Sequence, residues 1–90
     1  MTDDRRIARK ALTKARGLLA RIERMIDDDA YCIDIMQQNL AAIGLLKSVH
    51  HSLLQGHLRS CVSDALKSGK ATKQQRLIDE VLVVSKLASR

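Results

Sequence analysis

The feature that most limits what this chain can fold into is an apolar stripe that does not stop. From Tyr31 to Ala65, apolar side chains recur at spacings of mostly three and four: Ile35, Met36, Leu40, Ile43, Leu46, Val49, Leu53, Leu54, Leu58 and Cys61. This is helix periodicity. Gly44 and Gly56 each cost about 1 kcal/mol relative to Ala in a helix interior, which weakens the run without ending it. The pattern predicts one helix from about Ala30 to Lys67, closed by Ser68-Gly69-Lys70 as C-cap and turn. About 38 residues at helical rise span roughly 57 Å. A compact globule of 90 residues measures only about 30 Å across. Such a helix overshoots its own domain and leaves apolar surface bare. The simplest remedy is an antiparallel bundle of long helices from two copies. The alternative is a break at Gly44, giving a monomeric four-helix fold.

Two shorter helical segments flank it. One runs from about Arg5 to Ile26, with Ile7, Ala11, Ala15, Leu18, Ile22 and Met25 on one stripe. Asp3 and Asp4 precede it and suit the positive end of the helix dipole. Asp27-Asp28-Asp29 offers an N-cap to the long helix. The other runs from about Thr72 to Ala88, with Leu77, Ile78, Val81, Val84 and Leu87 inward. Val81-Leu82-Val83-Val84 has strand character but no partner strand. Proline is absent, glycine numbers four and Tyr31 is the single aromatic, so a turn-rich sandwich or barrel is disfavoured. The expectation is an all-α, three-helix protomer with a long central helix, a single domain over residues 1–90.

Sixteen Lys and Arg against ten Asp and Glu leave a net charge of +6. The excess points to an anionic partner, nucleic acid or an acidic membrane surface, against the plain alternative of solubility. No apolar run approaches the roughly 20 residues of a membrane span. The N-terminus is charged with no apolar stretch behind it, unlike a signal peptide. A reducing cytosol is therefore the expected setting, where Cys32 and Cys61 read as reactive thiols or metal ligands rather than a disulfide.

His57 and Cys61 are four residues apart, a spacing that stacks two side chains on one helix face, within reach of a shared metal ion. Alone the pair is weak: Cys61 also reads as a small buried hydrophobe and His57 as a partly exposed polar residue. Cys32 lies 25 residues before His57 in the sequence, about 37 Å along an unbroken helix. It meets the pair only in an antiparallel dimer, where Cys32 of one copy faces His57 and Cys61 of the other. Two thiolates and one imidazole suit a soft, low-coordination ion, best Cu(I). Structural zinc normally takes a fourth ligand, and calcium and magnesium want oxygen. His50 and His51 read as surface or interface residues.

The stretches Arg24-Met25-Ile26, Asp29-Ala30-Tyr31-Cys32-Ile33-Asp34-Ile35-Met36-Gln37-Gln38 and Gly56-His57-Leu58-Arg59-Ser60-Cys61 closely resemble the copper-sensing transcriptional repressors of the CsoR family. Leu77-Ile78-Asp79-Glu80-Val81 resembles that family's last helix, so the likeness covers nearly the whole chain. The resemblance implies an antiparallel helical dimer, a dimer of dimers forming a flat tetramer, and repression of metal-efflux genes by the apo-protein. Cu(I) would weaken its hold on operator DNA. It implies Cys32 as the ligand from one protomer, His57 and Cys61 as those of its partner, and Tyr31 as a residue beside the site. Nickel and cobalt sensors of the family carry an N-terminal His and a His where this chain has Cys61. Formaldehyde sensors carry an N-terminal Pro, where this chain has Thr2. Persulfide sensors keep both cysteines and typically lack the His. His57 thus favours copper, with a sensor of persulfide or other thiol-reactive species, using Cys32 and Cys61, as the alternative.

One position departs from the family. Copper sensors usually place a Glu in the last helix that hydrogen-bonds near the ligand His, and the ungapped match puts Arg76 there. A guanidinium accepts no hydrogen bond. Either Glu80 or another group takes the role, or the relay from metal to DNA differs.

Between Arg5 and Arg16 stand Arg5, Arg6, Arg9, Lys10, Lys14 and Arg16 with no acidic residue among them. Arg5, Arg9 and Arg16 lie near one helix face, and Lys10 and Lys14 extend it. The patch reads as a phosphate-binding surface for double-stranded operator DNA, or as a solvated face if the helix acts alone. Four copies in one tetramer would combine modest contacts. Lys47 and Arg24 are further candidates, and the resemblance marks Arg16 as the best-matched basic position. With no helix-turn-helix pattern and no aromatic platform, the expected mode is helix faces reading duplex shape. A metal-buffering protein that never touches DNA is the reading from another class. No acid–base constellation or phosphate loop suggests an enzyme.

Overall fold

The computed structural model describes residues 3–88; Thr2 lies outside them. Every element among the described residues is a helix: α1 over Asp3–Asp27, α2 over Cys32–Ser68 and α3 over Ala71–Ala88. The all-α expectation holds. Helix α2 is 37 residues long, about 55 Å at helical rise, and it runs through both Gly44 and Gly56. The break at Gly44 does not occur. A Cβ built there meets nothing within 4 Å, and the helix continues through this glycine despite its propensity cost. No described helix is long and apolar enough to cross a membrane.

The Asp27-Asp28-Asp29 segment caps the opposite helix from the one expected. It closes α1. Asp29 adopts a left-handed φ of 54°, the Ala30 N–H donates to the Met25 carbonyl at 2.9 Å, and the Asp29 N–H donates to Ile26 at 3.2 Å. These bonds form a Schellman cap with an aspartate where glycine is usual. The start of α2 is held by the Tyr31 carbonyl, which accepts from the Asp34 and Ile35 N–H groups at 3.0 and 3.2 Å. Cys32 is therefore the first residue of α2. At the other end Gly69 takes φ 63°. There the Ser68 hydroxyl donates to the Ala65 carbonyl at 2.9 Å and accepts from the Lys70 N–H at 3.3 Å.

Backbone proximity divides the chain into two compact units, one up to Gly56 and one from His57. In the first, the buried residues are Asp4, Ala8, Ala15 and Ile22 on α1 and Ala42 and Ser52 on α2. Small side chains dominate this seam and let helix backbones come close. The expected α1 stripe is right at Ala15 and Ile22. Near the helix start it shifts by one residue: Ala8 is buried and Ile7 is 56% exposed. In the second unit Ala65 is the buried apolar residue, and the Gln74 amide reaches its carbonyl at 3.5 Å. Leu77 and Val81 are half-buried as expected, but Ile78, Val84 and Leu87 remain exposed, contrary to the inward face read for α3. Along α2, Met36, Leu40, Ile43, Leu46 and Leu53 are exposed too.

Candidate metal centre

The helical spacing of His57 and Cys61 becomes a contact. His57 Nδ1 lies 3.3 Å from Cys61 Sγ, and the Ser60 hydroxyl is 3.9 Å from the same sulfur. One turn of helix sets this distance, because residues four apart stack on one face. An ion bonded to nitrogen at about 2.0 Å and to sulfur at about 2.3 Å can touch both atoms across that gap, so the donors fit a thiophilic metal.

The opposite ring nitrogen is engaged from α3. Glu80 Oε2 stands 3.6 Å from His57 Nε2, with both side chains about half exposed. The distance exceeds a hydrogen bond and falls within ion-pair reach. A carboxylate there favours a proton on Nε2 and leaves the Nδ1 lone pair facing Cys61, able to accept from its thiol or to bind a metal. Of the substitutes considered for the departing Arg76 position, the structure brings in Glu80, one helical turn further along α3. Arg76 itself is exposed. The neighbouring Asp79 is occupied otherwise, accepting from the Gln75 amide at 2.9 Å.

Cys32 is a free, exposed thiol at the first position of α2, and Cys61 is free and half-buried. Among the described residues no cluster of three or more His, Cys, Asp or Glu is gathered for a metal ion. One chain thus unites two of the three expected ligands. Tyr31 precedes Cys32 in the sequence and is 69% exposed. His50 and His51 are near neighbours, with ring centroids 6.3 Å apart.

The basic residues Arg5, Arg9, Lys10, Lys14, Arg16, Arg24 and Lys47 are all exposed. Arg6, Arg9, Lys10 and Lys14 border a shallow groove of about 830 Å³ along α1, shared with Asp3, Ile7 and Thr13. Asp3 pairs with Arg6 at 3.8 Å with both side chains well exposed, an arrangement that neutralises little of the face. What reading the sequence missed is the depth of Asp4. It suits the helix dipole as expected, yet it is only 8% exposed. No periodicity marks a carboxylate for burial; the clue was the glycine it meets, Gly56.

The profile of the family described as metal-sensitive transcriptional repressor matches residues 4–86. The chain is 39% identical over 82 residues to the copper-sensing transcriptional repressor CsoR of Mycobacterium ulcerans, covering 91% of this chain and 68% of that one. It is 37% identical over 75 residues to CsoR of Bacillus subtilis, covering 83% and 71%. It is 35% identical over 78 residues to the copper-sensing transcriptional repressor RicR of Mycobacterium tuberculosis, covering 87% and 81%.

Proposed function

The chain belongs to the metal-sensitive transcriptional repressor family, and from that premise we propose that it represses transcription in the apo form and leaves operator DNA when it binds Cu(I). The ligands are Cys32 of one protomer and His57 and Cys61 of its antiparallel partner. The observation that carries this reading is the 3.3 Å approach of His57 Nδ1 to Cys61 Sγ, with the remaining thiol exposed at the head of the same helix. Two soft sulfurs and one imidazole suit Cu(I) over harder ions.

The bare apolar surface of α2 and α3 supports assembly. Leu40, Leu46, Leu53, Leu82 and their neighbours are more exposed than a stable monomer leaves them. A second copy laid antiparallel covers such a stripe, and two dimers make the tetramer. Glu80 orients the His57 ring from its Nε2 side, and Tyr31 stands beside Cys32. Cu(I), when bound, supplies a bridge between protomers that fixes their helix register. The protein's own residues do the rest: Arg5, Arg9, Lys10, Lys14 and Arg16, with Lys47, face duplex phosphates, and their spacing across four copies decides affinity. A coupling of about 1–3 kcal/mol between metal and DNA changes affinity by about 5- to 150-fold. The place of action is the cytoplasm, with the DNA, and residues 1–90 act as one sensing and binding domain.

Anaerobic Cu(I) titration with X-ray absorption tests the ligand set. Two sulfurs and one nitrogen per copper are expected. Four-coordinate or oxygen-rich copper contradicts it. Operator affinity measured with and without Cu(I) at fixed salt tests the switch, and equal affinities refute it. An interprotomer Cys32–Cys61 cross-link after polysulfide treatment, with no response to Cu(I), would move the inducer to sulfane sulfur. Arg16→Gln should lower the salt slope of DNA binding by about 0.9 per lost phosphate contact and leave copper stoichiometry unchanged.

A further inference from the structure

Asp4 sits in the first turn of α1 and is more than nine-tenths buried, an unusual position for a carboxylate. It lies against Gly56. A Cβ at residue 56 would stand 2.9 Å from Asp4 Cβ, 3.4 Å from Oδ2 and 3.5 Å from Cγ. The first of these is closer than carbon atoms pack, so α1 meets α2 here only because residue 56 lacks a side chain. At Gly17 and Gly44 a Cβ would meet nothing within 4 Å; the tight fit is particular to Gly56.

The neighbours along the chain give this contact its meaning. Gly56 is followed on α2 by His57, and Asp4 is followed on α1 by Arg5, the first residue of the basic run. Resting on the repressor reading above, we propose that Asp4 and Gly56 are positioning residues that link the ligand turn of α2 to the DNA-facing helix. A close-packed contact passes displacement on instead of absorbing it. When the His57 turn is fixed by its ligand role, Gly56 has no slack to take up the change. Asp4 follows, and Arg5 and Arg9 are re-aimed with it. Gly56 has no side chain to offer to DNA or a metal and Asp4 is buried, so the pair governs coupling and leaves both binding steps intact.

The test uses the full chain, Cu(I) under anaerobic conditions, and a duplex selected by the wild-type protein from a random pool, at fixed salt. The coupling is the ratio of DNA affinities without and with Cu(I). Gly56→Ala should reduce a wild-type ratio of 5 or more to below about threefold, the margin set against that range, with copper stoichiometry and free-protein copper affinity unchanged. By reciprocity, DNA should then weaken copper binding in this variant by the same reduced factor. Asp4→Gly combined with Gly56→Ala removes the clashing atom and should restore coupling, a rescue that a merely structural role would not produce. Wild-type coupling in Gly56→Ala, or no rescue in the double variant, overturns the proposal. If Gly56→Ala fails to fold, Asp4→Gly alone decides: the loosened contact should lower coupling at unchanged copper affinity, and full coupling refutes the role. A wild-type protein that shows no coupling at all sinks the repressor reading itself, which separates the two failures.

Discussion

The stretch up to Gly56 buries Ala8, Ala15, Ile22 and Ala42, whereas the stretch from His57 buries one apolar side chain, Ala65, and leaves Ile78, Leu82, Val83, Val84 and Leu87 exposed. The better-sealed unit carries the basic helix and an exposed thiol. The thinly sealed one carries the imidazole, the second thiol and Glu80. The difference teaches where each kind of specificity lies. Small side chains at close helix spacing give the first unit a buried seam between α1 and α2, while Met36, Leu40, Ile43, Leu46 and Leu53 on the rest of α2 stay exposed. The second carries His57 and Cys61, two of the three proposed ligands, with a single buried apolar side chain among its described residues. A sensor gains from this division, because an element with few buried contacts changes state at low cost.

The comparison predicts a double dissociation. The largest effect is expected from Cys61→Ser. High-affinity Cu(I) binding should be lost in an anaerobic competition titration, while thermal stability of the apo-protein stays within about 0.5 kcal/mol, as for a change away from a sealed core. Tight copper binding by this variant would remove Cys61 from the ligand set. Next comes Ala42→Leu, which forces three extra carbons into a position only 2% exposed. It should cost about 2 kcal/mol by overpacking, or about 10 °C in melting temperature, without changing the copper ligand set seen by X-ray absorption. No loss of stability would mean the first seam is looser than it looks.

Smaller is Glu80→Gln. It keeps shape but removes the charge beside His57 Nε2, and should weaken copper about tenfold, the low end for groups behind a metal ligand. Arg76→Glu in that background should recover part of the loss if the position one turn earlier can reach the same nitrogen; no recovery would show that α3 presents residue 80 alone. The smallest effects belong to the two helix ends. Gly69→Ala should destabilise by about 1 kcal/mol, because a side chain is added at positive φ. Asp29→Gly, at nearly the same backbone angle, should be neutral or stabilising by up to about 1 kcal/mol. Equal denaturant midpoints for both variants would contradict a left-handed cap at one of the two ends.

Much of this was legible beforehand because helix periodicity is a local property. The three helices, the continuity of α2 and the stacking of His57 on Cys61 all follow from spacings of three and four. The cap at Asp27-Asp28-Asp29 falls on α1 and not on α2, because an aspartate suits both a helix start and a left-handed stop. Only the Ala30-to-Met25 hydrogen bond decides between them. The inward face expected for α3 differs from the one observed because apolar periodicity names a stripe without saying what covers it. Ile78 and Leu87 satisfy the pattern while lying bare in the single chain. Glu80 was readable as a candidate and no more, since which carboxylate reaches His57 depends on the rotation of α3.

The sequence by itself determined the helices, the family, and the presence of soft side chains at Cys32, His57 and Cys61, since backbone hydrogen bonding and side-chain type are fixed residue by residue. Tertiary structure alone decided that Glu80 approaches His57 Nε2 and that Asp4 is buried on Gly56. Those contacts join residues 23 and 52 positions apart, and no short-range pattern encodes the rotation and closeness of two helices. Only packing, limited by the volume of each side chain at the crossing, selects them.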